Sequence, residues 1–322
     1  MSVLSPSLKP VYVHSSLADP LIREALAGLR SEPKTLPCKL LYDDAGSKLF
    51  DAICELPEYY PTRIELGITE QHADELADFV GDRAQLIELG SGSSTKTPLL
   101  LDRLPGLVSY GPIDISENHL IDAARRMRRR YPKLYVDPIV ADYCEHWRIP
   151  DPPREAARRV AYFPGSTIGN FDRSDAQHFL NDLADKLGPD GRLIIGVDLR
   201  KSLDVLLPAY DDAAGVTAAF NLNLLHRLNR EADADFNPDA FAHEARWNDT
   251  LGRIEMHLVS WCDQSVRVAS RVLHFRAGET IHTESSHKYT LEGFAELAAA
   301  FRVDRVFTDE RGWFSVQCLS VR

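Results

Sequence analysis

The residues with the clearest capacity for chemistry lie in a glycine turn that follows an apolar run, Leu86–Gly92 (LIELGSG). The run predicts a strand with an acid near its end, and the two glycines let a ligand approach the backbone because they have no side chains. A helix that begins at Ser94 or Thr95 would present its free N–H groups to the same ligand. The stretch therefore predicts a small-molecule site at a strand-to-helix turn.

Three ligand classes fit this turn to different degrees. A phosphate-binding loop needs G-x-x-x-x-G-K-[ST], and Lys96-Thr97 matches its end, but Thr95 stands where the last glycine must be, so we reject it. A dinucleotide fingerprint also needs a glycine at Thr95, which weakens nicotinamide binding without excluding it. The third class is S-adenosylmethionine, whose cationic methionine end would lie near the acidic side of the turn at Glu88. A lone Gly-x-Gly also occurs in ordinary turns, so the rest of the chain must decide.

Composition favours a small-molecule ligand over a nucleic acid or a membrane. The 322 residues carry a formal net charge of −11, which is not the basic footprint of a nucleic-acid-binding protein. The hydrophobic fraction of 44% suffices for one large domain or two smaller ones. The five cysteines are scattered, without a C-x-x-C pair, so we expect no disulfide framework or zinc site and a reducing, cytoplasmic location. We see neither a signal peptide nor an apolar run of about 20 residues that could span a membrane.

Strand and helix patterns alternate between residues 84 and 199. This alternation predicts a doubly wound parallel α/β sheet with helices on both faces, and ligands bind such sheets beyond the carboxyl ends of the strands. The predicted strands are Gln85–Leu89, Val108–Asp114, Tyr135–Asp142, Arg158–Phe163 and Arg192–Asp198, and the predicted helices are Thr95–Leu104, Ser116–Arg130 and Ser174–Leu187.

Polar residues stand at the ends of these strands. Asp114 follows Gly90 by twenty-four residues, where an acid can accept hydrogen bonds from both hydroxyls of a ribose. Asp142 and Tyr143 end the third strand, where an acid can meet an adenine amine and a ring can cover the base. Either acid alone could be a helix cap, but polar ends in this order favour a nucleoside site. After the fourth strand, the segment 165–170 (GSTIGN) predicts either a second close-approach loop or a turn in which Asn170 caps the next helix.

Outside the alternating region the patterns change. Residues 1–15 show no pattern and are expected to be irregular, residues 16–30 predict an amphipathic helix, and Ser47 could cap a helix through Cys54. We therefore expect a Rossmann-like nucleoside-binding domain over residues 65–199 plus 290–322, and a second domain over residues 1–64 plus 200–289. Antiparallel strands are predicted at Ala242–Asn248, Arg253–Trp261, Val266–Phe275, Glu279–Tyr289, Val303–Thr308 and Trp313–Ser320.

Four segments together resemble one enzyme family. They are residues 57–63 (PEYYPTR), 88–97 (ELGSGSSTKT), 165–170 (GSTIGN) and 209–217 (AYDDAAGVT). In this order they are similar to the histidine Nα-methyltransferases of ergothioneine biosynthesis, from about Lys34 onward. The resemblance implies a class I S-adenosyl-L-methionine-dependent methyltransferase with an inserted α+β substrate-binding domain. It also implies three methylations of the α-amino group of L-histidine, which give hercynine.

The resemblance also implies a role for individual residues. Those implied to contact the cofactor are Tyr42, Gly90, Lys96, Asp114, Asp142 and Tyr143. Those implied to line the amino-acid pocket are Tyr59, Gly165, Asn170, Tyr210, Met256, Glu284 and Ser286.

Within the pocket, Asn170 and Tyr210 would hold the substrate carboxylate and orient its amine. Glu284 and Ser286 would hydrogen-bond the imidazole, with Tyr59 on its other side. A neutral imidazole has one donor and one acceptor nitrogen, which a carboxylate and a hydroxyl can satisfy. Because the nucleophile must be a neutral amine, we expect catalysis to depend mainly on alignment by Asn170 and Tyr210, with Tyr59 a candidate proton acceptor. From its spacing alone, Glu284 would instead be a solvated strand residue.

Other functions remain open at this point. A methyltransferase of the same family could act on another amine such as a tryptophan derivative, although Met256, Glu284 and Ser286 argue against it. A cofactor-binding protein without catalysis and a nicotinamide dehydrogenase are further alternatives. His282 and His287 fall on opposite faces of an extended segment, so we expect no metal. We expect a monomer.

Overall fold

The computed structural model describes residues 11–12, 18–92, 94, 96–145 and 147–322. Its helices are α1 (Ala18–Leu29), α2 (Asp44–Cys54), α3 (Tyr60–Gln71), α4 (Ala73–Val80), α5 (Thr97–Leu101), α6 (Glu117–Arg130), α7 (Arg173–Leu187), α8 (Leu203–Leu206), α9 (Val216–Glu231) and α10 (Leu291–Leu297). Its strands are β1 (Val11–Tyr12), β2 (Lys34–Thr35), β3 (Ala84–Leu89), β4 (Ser109–Asp114), β5 (Tyr135–Val136), β6 (Ile139–Val140), β7 (Arg158–Phe163), β8 (Arg192–Asp198), β9 (Phe241–Asn248), β10 (Arg253–Ser260), β11 (Gln264–Val268), β12 (Arg271–Phe275), β13 (Thr280–His287), β14 (Phe301–Thr308) and β15 (Phe314–Val321).

The main sheet has the strand order β1-β6-β4-β3-β7-β8-β15-β14, and β5 also pairs with β4. Pairing is parallel from β1 to β8, and β15 lies antiparallel between β8 and β14. Every residue of β3 is buried, as expected of a central parallel strand with helices on both faces. The predicted doubly wound sheet and its closing antiparallel pair are confirmed.

Two hydrophobic clusters lie on the main sheet, one with side chains from α7 and α10, the other with side chains from α3, α4, α5 and α6. A third cluster packs α1, α2 and α9 against a second sheet of order β2-β13-β10-β9 and against the hairpin β11-β12. The buried members of this third cluster come from residues 21–60 and 206–281. The division into two domains at the boundaries given above stays a prediction.

Several predicted elements are wrong in their limits. The glycine turn extends further than expected, because Ser94 has φ +52° and α5 begins only at Thr97, while Thr95 lies outside the described residues. The expected strand Tyr135–Asp142 is the two short strands β5 and β6. The expected strand Val266–Phe275 is instead the hairpin β11-β12, whose turn includes Ala269 at φ +50°.

The helix caps also differ from expectation. Asp43, not Ser47, caps α2, because its carboxylate accepts the Gly46 N–H at 2.7 Å. Asp172, not Asn170, occupies the N-cap position of α7. Near the N-terminus, β1 falls within residues that we expected to be irregular, and the first residues of the expected helix 16–30 lie outside the described ones. In the described part of the chain, every helix is too short or too polar to cross a membrane.

Candidate active site

The glycine turn after β3 forms one wall of a cavity. Gly90 and Gly92 have φ values of +64° and +48°, a backbone conformation that residues with a side chain rarely adopt. A Cβ atom on Gly90 would lie 3.6 Å from the ring of Tyr143, so the turn and the ring face each other closely. The residues predicted to contact a cofactor that line this cavity are Tyr42, Gly90, Asp114, Asp142 and Tyr143, and Asn170 lines it too.

Two of the acids that line the cavity, Asp114 and Asp142, are held in place by hydrogen bonds and an ion pair. The carboxylate of Asp114, at the end of β4, accepts the N–H of Gly92 at 2.8 Å and that of Ser116 at 2.9 Å. Its burial raises its pKa above the ordinary value. Asp142 accepts the Cys144 N–H at 2.9 Å and pairs with the Lys39 ammonium at 3.0 Å. Carboxylate oxygens keep further lone pairs, so both acids can still accept hydrogen bonds from a nucleoside.

Aromatic rings form the remaining wall. Tyr143 packs edge-on against Phe163 and Phe179, with ring centroids 5.7 and 6.0 Å apart. Its hydroxyl bonds to no residue in the part of the chain that the structure describes. Tyr42 packs edge-on against Phe50, at 5.6 Å between centroids. These contacts fix the two rings beside the acids, where they can cover a flat base.

Lys96 and Glu88 are not among the residues that line this cavity. The Lys96 ammonium pairs with the buried carboxylate of Glu65, which also accepts the Gly165 N–H at 2.9 Å. Glu65 thus joins the turn after β3 to the loop after β7, a contact that sequence reasoning missed. The expected acidic side at Glu88 is wrong, because its carboxylate is 1% exposed and accepts hydrogen bonds from Thr97 and from another buried side chain. Burial raises the pKa of Glu88 to about 7.

The residues expected to line an amino-acid pocket come together on the second sheet. Glu284 and Ser286 are two residues apart on β13, so their side chains share one face. Met256 lies opposite Glu284 in the register of β10 and β13. The hydroxyls of Ser286 and Tyr210 lie 2.7 Å apart, and the ring of Tyr210 is 6.3 Å from that of Tyr59.

Asn170 links this pocket to the cavity. It ends the 3-10 turn Thr167–Asn170 after β7, and its half-buried side chain bonds to no residue that the structure describes. It borders both the cavity at the glycine turn and an adjoining cleft that reaches Glu284. A ligand in the cavity and one in the pocket would therefore meet at Asn170.

Glu284 is the most unusual group of the pocket. It is only 8% exposed, yet its carboxylate receives no hydrogen bond from any described residue. Burial raises its pKa to about 7, although the Lys288 ammonium acts to lower that pKa. A buried acceptor without a donor costs free energy. The pocket is therefore suited to a ligand that donates a hydrogen bond to Glu284.

Sequence reasoning missed a buried charged network beside the pocket. The Lys288 ammonium, with a fully buried side chain, lies 2.7 Å from a carboxylate oxygen of Asp198. Asp198 also accepts the Tyr60 hydroxyl at 2.6 Å and pairs with Lys201 at 2.5 Å. The signal was available in the sequence. Lys288 follows Glu284 by four residues, and in an extended segment this even spacing places both side chains on the same face.

Comparison with known proteins identifies relatives along nearly the whole chain. A profile of the family described as histidine-specific, SAM-dependent methyltransferases matches residues 21–321. The chain is 44% identical to the histidine N-alpha-methyltransferase of Mycolicibacterium smegmatis, covering 98% of this chain and 99% of that protein. It is 36% identical to ergothioneine biosynthesis protein 1 of Neurospora crassa, covering 61% of this chain and 23% of that protein. It is 27% identical to the 4-dimethylallyltryptophan N-methyltransferase of Epichloe festucae var. lolii, covering 89% of this chain and 92% of that protein.

Proposed function

The chain belongs to the family of histidine-specific, S-adenosylmethionine-dependent methyltransferases, and on this premise we propose that it methylates the α-amino group of L-histidine three times. The product is hercynine, the histidine betaine, and the step would be the first of ergothioneine biosynthesis. The observation that carries the substrate assignment is the buried carboxylate of Glu284, which no described residue satisfies. An imidazole N–H is the donor that it lacks, and the neighbouring Ser286 hydroxyl can serve the other ring nitrogen.

The cavity at the glycine turn fits S-adenosyl-L-methionine, which supplies a methyl group on a cationic sulfur when it is bound. Asp114 would accept from the ribose hydroxyls, because both its oxygens keep free lone pairs. Asp142 would accept from the adenine amine, and Tyr143 would cover the base. Gly90 would admit the cofactor close to the backbone. The remaining two proposed cofactor residues are Tyr42, on the cavity wall, and Lys96, next to Gly165.

Asn170 and Tyr210 would hold the carboxylate of the substrate and turn its amine toward the cavity. The backbone at Gly165 would lie near that position, and Met256, the register partner of Glu284 on β10, would lie beside the ring. Because Asn170 borders both the cavity and the cleft, it is the side chain best placed to align the amine with the methyl donor. Alignment of two reactants contributes most when the leaving group is already good, as it is here.

The amine must lose its proton before it can attack. The structure bears on whether Tyr59 could accept that proton. Burial raises the pKa of Tyr59 well above its ordinary value, so its hydroxyl stays protonated at neutral pH. Tyr59 is therefore better suited to pack against the ring than to act as a base. The rings of Tyr59 and Phe50, 6.1 Å apart, can stabilise the cation that forms on the amine.

Mass spectrometry of protein incubated with S-adenosylmethionine and one amino acid at a time tests this function. We expect gains of one, two and three methyl groups on histidine and none on tryptophan or phenylalanine. Asn170→Ala should lower turnover about 100-fold, because loss of alignment affects the reacting amine directly. Methylation of tryptophan instead would retain the cofactor assignment and contradict the assignment of the ring pocket. An unchanged Asn170→Ala variant would contradict the role of that residue.

We further propose that the protein acts as a monomer in the cytoplasm, without a nucleic-acid partner. Its cysteines are free thiols, which suits a reducing compartment. Light scattering at micromolar concentration would test the monomer, with a mass near 36.1 kDa expected. A mass of twice that value would contradict it.

A further inference from the structure

Lys39 lines both the proposed cofactor cavity and the cleft that adjoins it. Its ammonium lies 3.0 Å from an oxygen of Asp142, the acid proposed to meet the adenine amine. We propose that Lys39 is a positioning residue that fixes the Asp142 carboxylate for this amine and thereby makes the cavity selective for an amine-bearing purine. This role rests on the proposed function, because it assumes that Asp142 faces the base of S-adenosylmethionine.

The Asp142 carboxylate is held at both of its oxygens by different segments of the chain. Oδ1 accepts the N–H of Cys144 at 2.9 Å, within the same turn, and Oδ2 accepts from Lys39 at 3.0 Å, across 103 residues. One such bond would leave the carboxylate free to rotate about its Cβ–Cγ bond, a torsion with broad preferences, whereas two bonds on different oxygens fix it. Each oxygen keeps a lone pair, so the carboxylate offers acceptors in fixed directions.

The ammonium of Lys39 is itself engaged by carboxylates, so it acts on a base through Asp142. Besides Asp142, it lies 3.0 Å from Glu24 of α1 and 3.5 Å from Glu145. An ammonium has three donors and no acceptor, and three carboxylates match that number. Although burial acts to lower the pKa of Lys39, Asp142 and Glu24 raise it above the ordinary value, so the ammonium stays charged at neutral pH.

The three carboxylates around this ammonium would repel each other if its charge were removed. Such repulsion favours a displaced or protonated carboxyl group. Asp142 would then keep only its bond from Cys144, and its carboxylate would be free to turn away from the base. Loss of the ammonium also makes a carboxylate a stronger acceptor, but only while its oxygens stay in place. Because the Asp142 side chain is 8% exposed, little water can replace the ammonium, and the first effect should dominate.

A second lysine offers a matched comparison. Lys34, on β2, pairs with one acid, Glu279, and its side chain is 12% exposed. It lines neither the cavity nor the cleft. If Lys39 acted only through the charge or the stability of this part of the chain, removal of Lys34 should have the same effect on a ligand.

The test is calorimetric titration of the protein with two ligands that differ in one group. S-Adenosylhomocysteine has the adenine amine, and its 6-deamino analogue has a hydrogen in that place. In the wild type the amine should contribute about 10- to 100-fold to affinity, the range of a hydrogen bond to a charged group. In Lys39→Met this contribution should fall below about threefold, because the two partners are coupled. In Lys34→Met it should equal that of the wild type.

A merely structural role of Lys39 would weaken both ligands equally in Lys39→Met, and an unchanged ratio of their affinities would therefore overturn the proposal. A larger contribution of the amine in Lys39→Met, or an equal fall in Lys34→Met, would also overturn it. Lys39→Arg keeps the charge and the donors, so it should retain most of the contribution.

Two further outcomes separate this role from the function on which it rests. Should Lys39→Met fail to fold by circular dichroism, Lys39→Gln removes the charge and ends one bond short of the ammonium position, and the same fall is expected. Methylation of histidine by a wild type to which the amine contributes nothing would overturn the role of Lys39 and leave the function intact. A wild type that binds neither ligand would contradict the proposed function itself.

Discussion

The carboxylates in the two halves of the candidate site differ in whether the protein supplies them with hydrogen-bond donors. At the proposed cofactor half, Asp114 accepts from two backbone N–H groups, and Asp142 accepts from one backbone N–H and from Lys39. At the proposed amino-acid half, Glu284 is buried without a donor. The carboxylates of the first half are thus held in place before any ligand binds, whereas the carboxylate of the second half lacks a hydrogen-bond donor until a ligand binds. This difference suggests that the first half supplies affinity for a cofactor and the second supplies specificity.

The two halves also differ in how far apart in sequence their partners are. Asp142 accepts from Cys144, two residues away, and Asp114 accepts from Ser116, again two residues away. In contrast, the Tyr210 hydroxyl meets Ser286 across 76 residues. Local turns therefore fix part of the cofactor half, to which Gly92 and Lys39 contribute from 22 and 103 residues away, while the amino-acid half depends on the packing of the second sheet against the rest of the chain.

The largest effect that would sharpen this comparison is expected from Glu284→Ala. It should lower kcat/KM for histidine about 100-fold, because the ring N–H loses a charged acceptor and stays buried without a partner. The Kd of the cofactor should change less than about twofold, since the cofactor half is organised separately. Calorimetric titration and steady-state kinetics measure both. Ser285→Ala, on the opposite face of β13, is the matched control, and an equal loss there would point to a general disturbance of the strand.

The mirror experiment is Asp114→Ala. The Kd of S-adenosylmethionine should rise about 10- to 100-fold, as expected when two hydrogen bonds to a carboxylate are lost. Binding of histidine without cofactor should change less than about twofold. Asp122→Ala, on the exposed side of α6, is the control and should leave both affinities unchanged. A large loss of histidine affinity in Asp114→Ala would show that the two halves are not separate.

A smaller effect concerns stability, and its sign follows from the raised pKa of Glu284. The pKa of about 7 in the folded protein exceeds the ordinary value of 4.5, so burial favours the protonated acid. The folded state is therefore favoured below pH 4.5, and this contribution is lost as pH rises through 7. Glu284→Gln, which resembles the protonated acid, should raise the free energy of unfolding by about 3 kcal/mol at pH 8 and by less than about 1 kcal/mol at pH 5.

Urea unfolding at the two pH values measures this difference. The variant should have a higher free energy of unfolding than the wild type and a lower kcat/KM for histidine. This combination is expected of a side chain that binds the substrate at the expense of stability. Equal stability at pH 8 would mean that Glu284 has a donor in the free protein. That result would remove the contrast between the two halves.

The smallest effect is expected at Tyr143, which tests whether the cofactor half needs a ring or a hydroxyl. Tyr143→Phe should change the Kd of the cofactor less than about twofold, because the hydroxyl bonds to no described residue. Tyr143→Ala should weaken binding about 10-fold, since a stacked base loses about 1–3 kcal/mol with its aromatic partner. A strong effect of Tyr143→Phe would assign the hydroxyl a direct contact with the cofactor.

The same contrast explains what could be predicted from the sequence. The parallel sheet and the acids at its strand ends follow from local patterns, so Asp114 and Asp142 were placed in the cavity correctly. The start of α5 was not, because the positive φ of Ser94 extends the turn beyond the glycines. The role of Lys96 beside the cofactor stays a prediction, and its pairing with Glu65, thirty-one residues earlier, does not follow from the local pattern.

The amino-acid half was accessible mainly through the family resemblance. By its spacing alone, Glu284 could not be distinguished from a solvated strand residue, because its burial depends on the packing of β13 against distant segments. Lys288 was missed for a related reason. A lysine at a strand end usually reaches solvent, and only the buried Asp198 on β8 makes it an interior residue here.

The position of the transferred methyl groups on the product tests the central claim most directly. With the ring at Glu284 and the amine at Asn170, as proposed above, only the amine can reach the methyl donor. NMR of product made from histidine and ¹³C-methyl-labelled S-adenosylmethionine should therefore show one resonance from three equivalent methyl groups on the α nitrogen. Methyl resonances on a ring nitrogen, or a mixture of the two, would contradict this orientation and with it the division of the site into two halves.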